Sequence, residues 1–272
     1  MFQGGSVQFC CQCVPAQCWL YVRNMPLQDI HIGTSGWSYK HWKENFYPKG
    51  TKAADYLRYY AEHFSTTEIN TTFYHLPRTS TVENWKEKVP ANFRFSIKMS
   101  RYLTQMKKLT EPEEPLERFF TAIEPVQHLC GIILFQLPPS LAFNYDRADH
   151  LFSLLKKEYK QYQFALEVRH LSWLDVDSIS LLTKYDIAFV ISQSGNHFPY
   201  AELVTSKNIY VRFHGPDKLY ASSYNDDTLR YYAEKFLQWA EEKHVVWAYF
   251  NNDINGHAIA NANTLKNMLQ QQ

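Results

Sequence analysis

The chain has 272 residues, 45% apolar and 20% charged, enough material for one large domain with a substantial core. A formal charge of +1 excludes the strongly basic footprint of a duplex nucleic-acid binder. No run approaches the ~20 apolar residues of a membrane-spanning helix, and no secretory signal is legible, so a cytoplasmic protein without a membrane partner is expected.

Four of the five cysteines crowd into "CCQCVPAQC", at Cys10, Cys11, Cys13 and Cys18. No second Cys or His pair follows at zinc-finger distance. Residues 1–29 are therefore read as a disordered extension, with Met25 as an alternative start. From residue 30 onward, β-rich runs alternate with amphipathic ones. Strands are predicted at 30–37, 66–73, 93–100, 131–138, 163–170, 187–194, 208–215 and 245–253. Helical patterning fills most intervals, from "AADYLRYYAEHF" to the final "NANTLKNML". The stretch 195–207 shows no clean period, so a sixth helix there is expected to be irregular or shortened. Cys130 opens an apolar strand and reads as an inert thiol.

Eight such repeats predict a single-domain TIM-type (β/α)8 barrel over 30–272. The rival is an open doubly wound sheet. Its dinucleotide-binding form is disfavoured because no G-x-G-x-x-G turn follows the first strand.

Side chains alternate between the two faces of a strand. In "FALEVRH", Phe164, Leu166 and Val168 share one face, while Ala165, Glu167 and Arg169 share the other. The apolar face suits the helical layer, which sends both charges into the barrel. Charges there are costly unless they sit near the mouth, paired, hydrated or facing a ligand. The pattern recurs. Glu68, Asn70 and Thr72 share a face, as do Arg94, Ser96 and Lys98, and Tyr210, Arg212 and His214. Gln136 ends the fourth strand, and Asn251, Asn252 and Asp253 follow the eighth. Each alone has a structural explanation: an ion pair, a snorkelling lysine or a turn asparagine. Their convergence from six strands predicts a functional pocket.

The ordered motifs "IGTSGWSYKHW", "FYP", "EINTTFY", "FSIKMS", "GIILFQLPPS", "EVRHLSW", "VRFHG" and "YFNNDINGHAIANA" resemble the YecE-like family, domain of unknown function 72. The resemblance runs from Ile30 to Leu269 and implies a TIM barrel without an established activity. Its family positions include Trp37, Tyr39, Glu68, Asn70, Tyr74, Lys98, Gln136, Glu167, Arg169, Trp173, Arg212, His214, Asn251 and Asn252. After the third strand, relatives often carry a Thr-His pair where this chain has Thr104-Gln105.

Two arginines and a lysine among amides suit a small anionic ligand. The first expectation is an enzyme acting on a phosphate- or carboxylate-bearing molecule. Glu167 or Glu68 takes a proton, His214 returns one, and Lys98, Arg169 and Arg212 hold developing charge. Trp37, Tyr39, Tyr74 and Trp173 would wall the pocket, with Asn70, Gln136, Asn251 and Asn252 binding substrate. No motif implies a cofactor. A divalent metal belongs to the alternative of a phosphodiesterase resembling endonuclease IV, with Glu68, Glu167, His214 and Asp253 as ligands. A third reading is a non-catalytic binder of nucleic acid or a metabolite, disfavoured for nucleic acid by the near-neutral charge.

Overall fold

The computed structural model describes residues 27–271 and contains all eight predicted strands. They are β1 (Ile30–Thr34), β2 (Thr66–Ile69), β3 (Arg94–Lys98), β4 (Cys130–Gln136), β5 (Gln163–Glu167), β6 (Ala188–Gln193), β7 (Asn208–Phe213) and β8 (Val245–Phe250). All ladders are parallel, in the order β1-β8-β7-β6-β5-β4-β3-β2. The helices are α1 (Tyr56–His63), α2 (Thr71–Tyr74), α3 (Thr79–Glu87), α4 (Glu113–Ile123), α5 (Tyr145–Glu158), α6 (Val176–Tyr185), α7 (Asp226–Glu241) and α8 (His257–Gln270). This is the expected TIM-type barrel. Among the described residues no helix is long and apolar enough to cross a membrane.

Helical spacing of apolar residues explains how the outer layer attaches. In α4, Leu116, Phe119, Phe120 and Ile123 are buried, a stripe at i, i+3, i+4 and i+7. Such stripes meet outward strand residues, including Ile97, Phe135, Leu166, Ile191 and Val211, in one core. Inward residues form a second, smaller core: Ile132, Leu134, Ala165, Val190, Tyr210, Trp247 and Tyr249. Trp247 lies so close to Gly131 that a β-carbon there would come within 2.5 Å of the indole. Tyr249 carries its hydroxyl into the barrel, 2.6 Å from Thr66 Oγ1 and 2.8 Å from Ser96 Oγ.

The hydrogen-bonded ladder leaves one seam, between β1 and β2, and side chains close it. The Tyr60 hydroxyl of α1 accepts from the Thr34 N–H (2.9 Å) and donates to the Thr66 carbonyl (3.1 Å). Thr67 Oγ1 donates to the Thr34 carbonyl at 3.0 Å. Gly33 permits this approach, since a β-carbon would fall 2.2 Å from the Thr66 carbonyl oxygen. Buried backbone groups that lack ladder partners are thus satisfied.

Two sequence-based expectations are corrected. β2 ends at Ile69, where its pairing with Ile97 stops, and Thr71–Tyr74 turns into a short helix. Alternation therefore does not bring Asn70 and Thr72 into the barrel beside Glu68. The Thr72 hydroxyl instead donates to the Lys98 carbonyl at 2.7 Å. The irregular or shortened helix expected between β6 and β7 is absent: 194–207 crosses from one strand to the other without a helix. Thr205 anchors that crossing, accepting from the Phe189 N–H (2.8 Å) and donating to the Ile187 carbonyl (2.6 Å). The cysteine-rich run lies outside the described residues. Burial pushes the Cys130 thiol up to about 12, which suits an inert thiol.

Candidate functional site

The inward positions nearest the C-terminal ends of β2, β5 and β7 carry Glu68, Glu167 and Arg212. Arg212 joins both carboxylates: Nη2 donates to Glu68 Oε1 and Nη1 to Glu167 Oε2, each at 2.6 Å. Glu68 also accepts from Ser35 Oγ (2.8 Å) and from the Tyr210 hydroxyl (2.7 Å). Glu167 Oε1 accepts from Arg169 Nη2, Ser192 Oγ and His214 Nε2, all at 2.8 Å. Glu68, Glu167 and His214 are 0% exposed, and Arg212 is 2% exposed. Both carboxylates are saturated.

Burial alone would raise these carboxyls, but opposite charges outweigh it. Arg212 leads for Glu68, while Arg169 and Arg212 hold Glu167 well below the usual carboxylate range. Burial lowers His214 to about 4 despite the pull of Glu167. The ring is therefore neutral near pH 7. Its Nε2 donates to Glu167, and its Nδ1 lies 3.2 Å from the Asn251 amide nitrogen. These contacts fix a single tautomer.

Two cations keep donors that this network does not use. Arg169 is 7% exposed, and its Nε and Nη1 are buried without a hydrogen-bond partner. Its guanidinium carbon sits 3.2 Å from the centre of the Phe198 ring, which comes from the helix-free β6–β7 connection. Lys98 is 9% exposed, with Nζ 4.1 Å from the centre of the Phe73 ring. Burial, then the Arg212 charge, lowers Lys98 to about 8, against the opposing pull of Glu167 and Glu68.

The remaining predicted residues divide between two clefts and the fold itself. Trp37, Tyr39 and Asn70 line a cleft of about 220 Å³ that Ser35 connects to the Glu68 side of the cluster. The Tyr39 hydroxyl donates to the Ser35 carbonyl. Tyr74, 57% exposed, lines a second cleft of about 430 Å³ with Ser100, Tyr102 and Arg118. Gln136 pairs in register with Glu167, and its carbonyl accepts from Gln105 Nε2 at 2.7 Å. Trp173 does not wall a pocket: it is buried, and its indole N–H donates to the Leu141 carbonyl at 2.9 Å. Asn252 is likewise turned into the fold, donating to the Ser222 carbonyl and Asn261 Oδ1.

The ligand set expected for a metal does not assemble. Asp253 accepts from Trp42 Nε1 at 2.8 Å and lies 2.7 Å from His41 Nε2. Glu68 and Glu167 are held by Arg212 between them. Among the described residues no three His, Cys, Asp or Glu side chains are placed to hold a metal ion.

The sequence alone did not single out Ser192 and Phe198 as partners of the cluster. Ser192 was findable, because alternation in "IAFVISQS" places it on the same face as Val190, which lines the barrel. Phe198 lies in a stretch without periodicity, and no local signal points to it.

A family model described as "Protein of unknown function DUF72" matches residues 31–272. The chain is 28% identical over 141 residues to UPF0759 protein YecE of Escherichia coli K12, covering 52% of this chain and 48% of that protein. By that match the chain spans about half the length of the curated relatives it matches. A crystal structure of a DUF72 family protein from Thermotoga maritima MSB8 superposes with a TM-score of 0.78 at 28% identity. It covers 89% of this chain and 99% of that one. Another, from Enterococcus faecalis V583, gives 0.76 at 22% identity over 89% and 95% of the two chains, a likeness of fold.

Proposed function

The chain belongs to the DUF72 family, of unknown function, and we propose that it is an enzyme working by acid/base chemistry on a small molecule that bears a carboxylate or phosphate. One observation carries the reading: Arg169 keeps two buried N–H donors without acceptors. Leaving such donors unpaired costs about 1–3 kcal/mol each, more for a charged group. An oxyanion at the mouth would satisfy them with charge-assisted hydrogen bonds.

Lys98 is the group suited to move a proton. A side chain that titrates at about 8 exchanges protons readily near neutral pH. Glu68 and Glu167 were expected to accept protons and His214 to return them. Saturated, ionised carboxylates and a neutral imidazole held at both nitrogens suit a fixed scaffold better. They orient Arg169 and set the field around Lys98. Trp37 and Tyr39 supply the aromatic wall of the adjoining cleft. The metal-assisted phosphodiesterase reading lacks comparable support, because Arg212 stands between its two glutamates and Asp253 is held by Trp42 and His41.

Calorimetric titration with inorganic phosphate tests this. Phosphate should bind the wild-type protein and bind Arg169→Gln at least about tenfold more weakly, the loss of one charge-assisted contact. Equal binding by both proteins would place the anion elsewhere. If Lys98→Met binds phosphate as the wild type does, Lys98 acts in chemistry rather than in binding; a parallel loss would make it a second anion contact.

A further inference from the structure

Lys98 is set up unlike a structural lysine. Such a lysine would take one of the two carboxylates at the mouth, but Arg212 already bridges Glu68 and Glu167. The Lys98 amine makes no hydrogen bond or ion pair among the described residues, and its Nζ rests over Phe73. The charges of both arginines bear on it and disfavour its protonated form. A desolvated amine beside other cations is the arrangement that turns lysine into a nucleophile. The same neighbourhood holds the unfilled donors of Arg169.

The geometry points to Lys98 as a nucleophile that forms an imine with the carbonyl carbon of a small oxo acid whose carboxylate rests against Arg169. This deepens the function proposed above and rests on its anion site. The neutral amine attacks the carbonyl carbon, forming the C–N bond. A proton passes from nitrogen to oxygen and gives a carbinolamine. The C–O bond then breaks, with a second proton leaving on the oxygen as water, and an imine remains that is protonated to iminium. Glu68 and Glu167 favour that positive charge just as they favour the ammonium. The iminium then draws the bonding pair from the adjacent carbon as a proton there passes to solvent water, or as a carboxylate there leaves as CO2, and an enamine remains. The implied chemistry is thus bond-breaking next to a carbonyl.

Borohydride trapping tests this directly. The protein is incubated at pH 8 with pyruvate or levulinate, which differ in the spacing of carbonyl and carboxylate, and then reduced. Peptide mass spectrometry locates the secondary amine. One adduct at Lys98 is expected, lost in Lys98→Met and Lys98→Gln and suppressed by excess inorganic phosphate. Adducts spread over exposed lysines, unchanged in both variants, would overturn the inference. Phosphate binding that depends on Arg169, together with no trapping at Lys98, would overturn the imine and leave the anion site standing. An adduct at Lys98 that forms equally in Arg169→Gln would remove Arg169 from the proposal. Absence of both phosphate binding and trapping would defeat both readings.

Discussion

Replacing Arg212 with methionine is expected to cost about 3–5 kcal/mol of stability, because it strands buried carboxylates that now share one guanidinium. Arg212 is 2% exposed and contacts Glu68 and Glu167 at 2.6 Å each. Urea unfolding at pH 7 measures the loss, and a change below about 1 kcal/mol, the range of an exposed pair, would contradict it. The pH dependence supplies a second check. In the wild type both carboxyls are depressed below the reference of 4.5. Their stabilisation is present above that value and disappears as pH falls through the folded-state values. In the variant Glu68 keeps its burial and loses its main attraction, so its carboxyl moves up. A raised carboxyl favours the folded state at low pH. The gap between the two proteins should therefore be widest at pH 7 and narrow as the solution is acidified.

Glu167→Gln is expected to destabilise by a similar amount, about 3–5 kcal/mol, although the side chain keeps its shape. Glu167 Oε1 receives three donors and Oε2 receives Arg212. Whichever way the glutamine amide is turned, its NH₂ faces at least one N–H donor, and the negative charge is gone. The consequences extend beyond stability. Arg169 loses the acceptor that orients it, so phosphate binding should weaken together with unfolding free energy. Lys98 also loses a charge that favours its protonated form, so its titration should shift downward. A variant as stable as the wild type that binds phosphate equally would show that Glu167 does not organise the mouth.

The barrel and the charged residues of its mouth were legible because strand alternation is a property of the backbone. Glu167, Arg212 and Lys98 lie where counting by twos places them. The register slipped only where a ladder ended: Asn70 and Thr72 continue the pattern in letters, but β2 stops at Ile69. Trp173 and Asn252 could not be distinguished from pocket residues, because an indole N–H or an amide serves a ligand and a backbone carbonyl equally well. Hydrogen-bond saturation was also hidden. Sequence brings two glutamates to the mouth, yet only the geometry reveals that Arg212 occupies both and leaves Lys98 unpaired. The placement of Phe198 over Arg169 comes from a helix-free crossing, where no periodicity exists to be read.

The measurement closest to the central claim is the titration of Lys98 itself. Heteronuclear NMR of lysine-labelled protein, with Lys98→Met used to assign the signal, reports the amine directly. A midpoint near 8 is expected, moved upward by added phosphate as the anion stabilises the ammonium. A midpoint at or above the ordinary 10.5, unaffected by phosphate, would mean that Lys98 is a plain cation and that the mouth is not the reactive site proposed here.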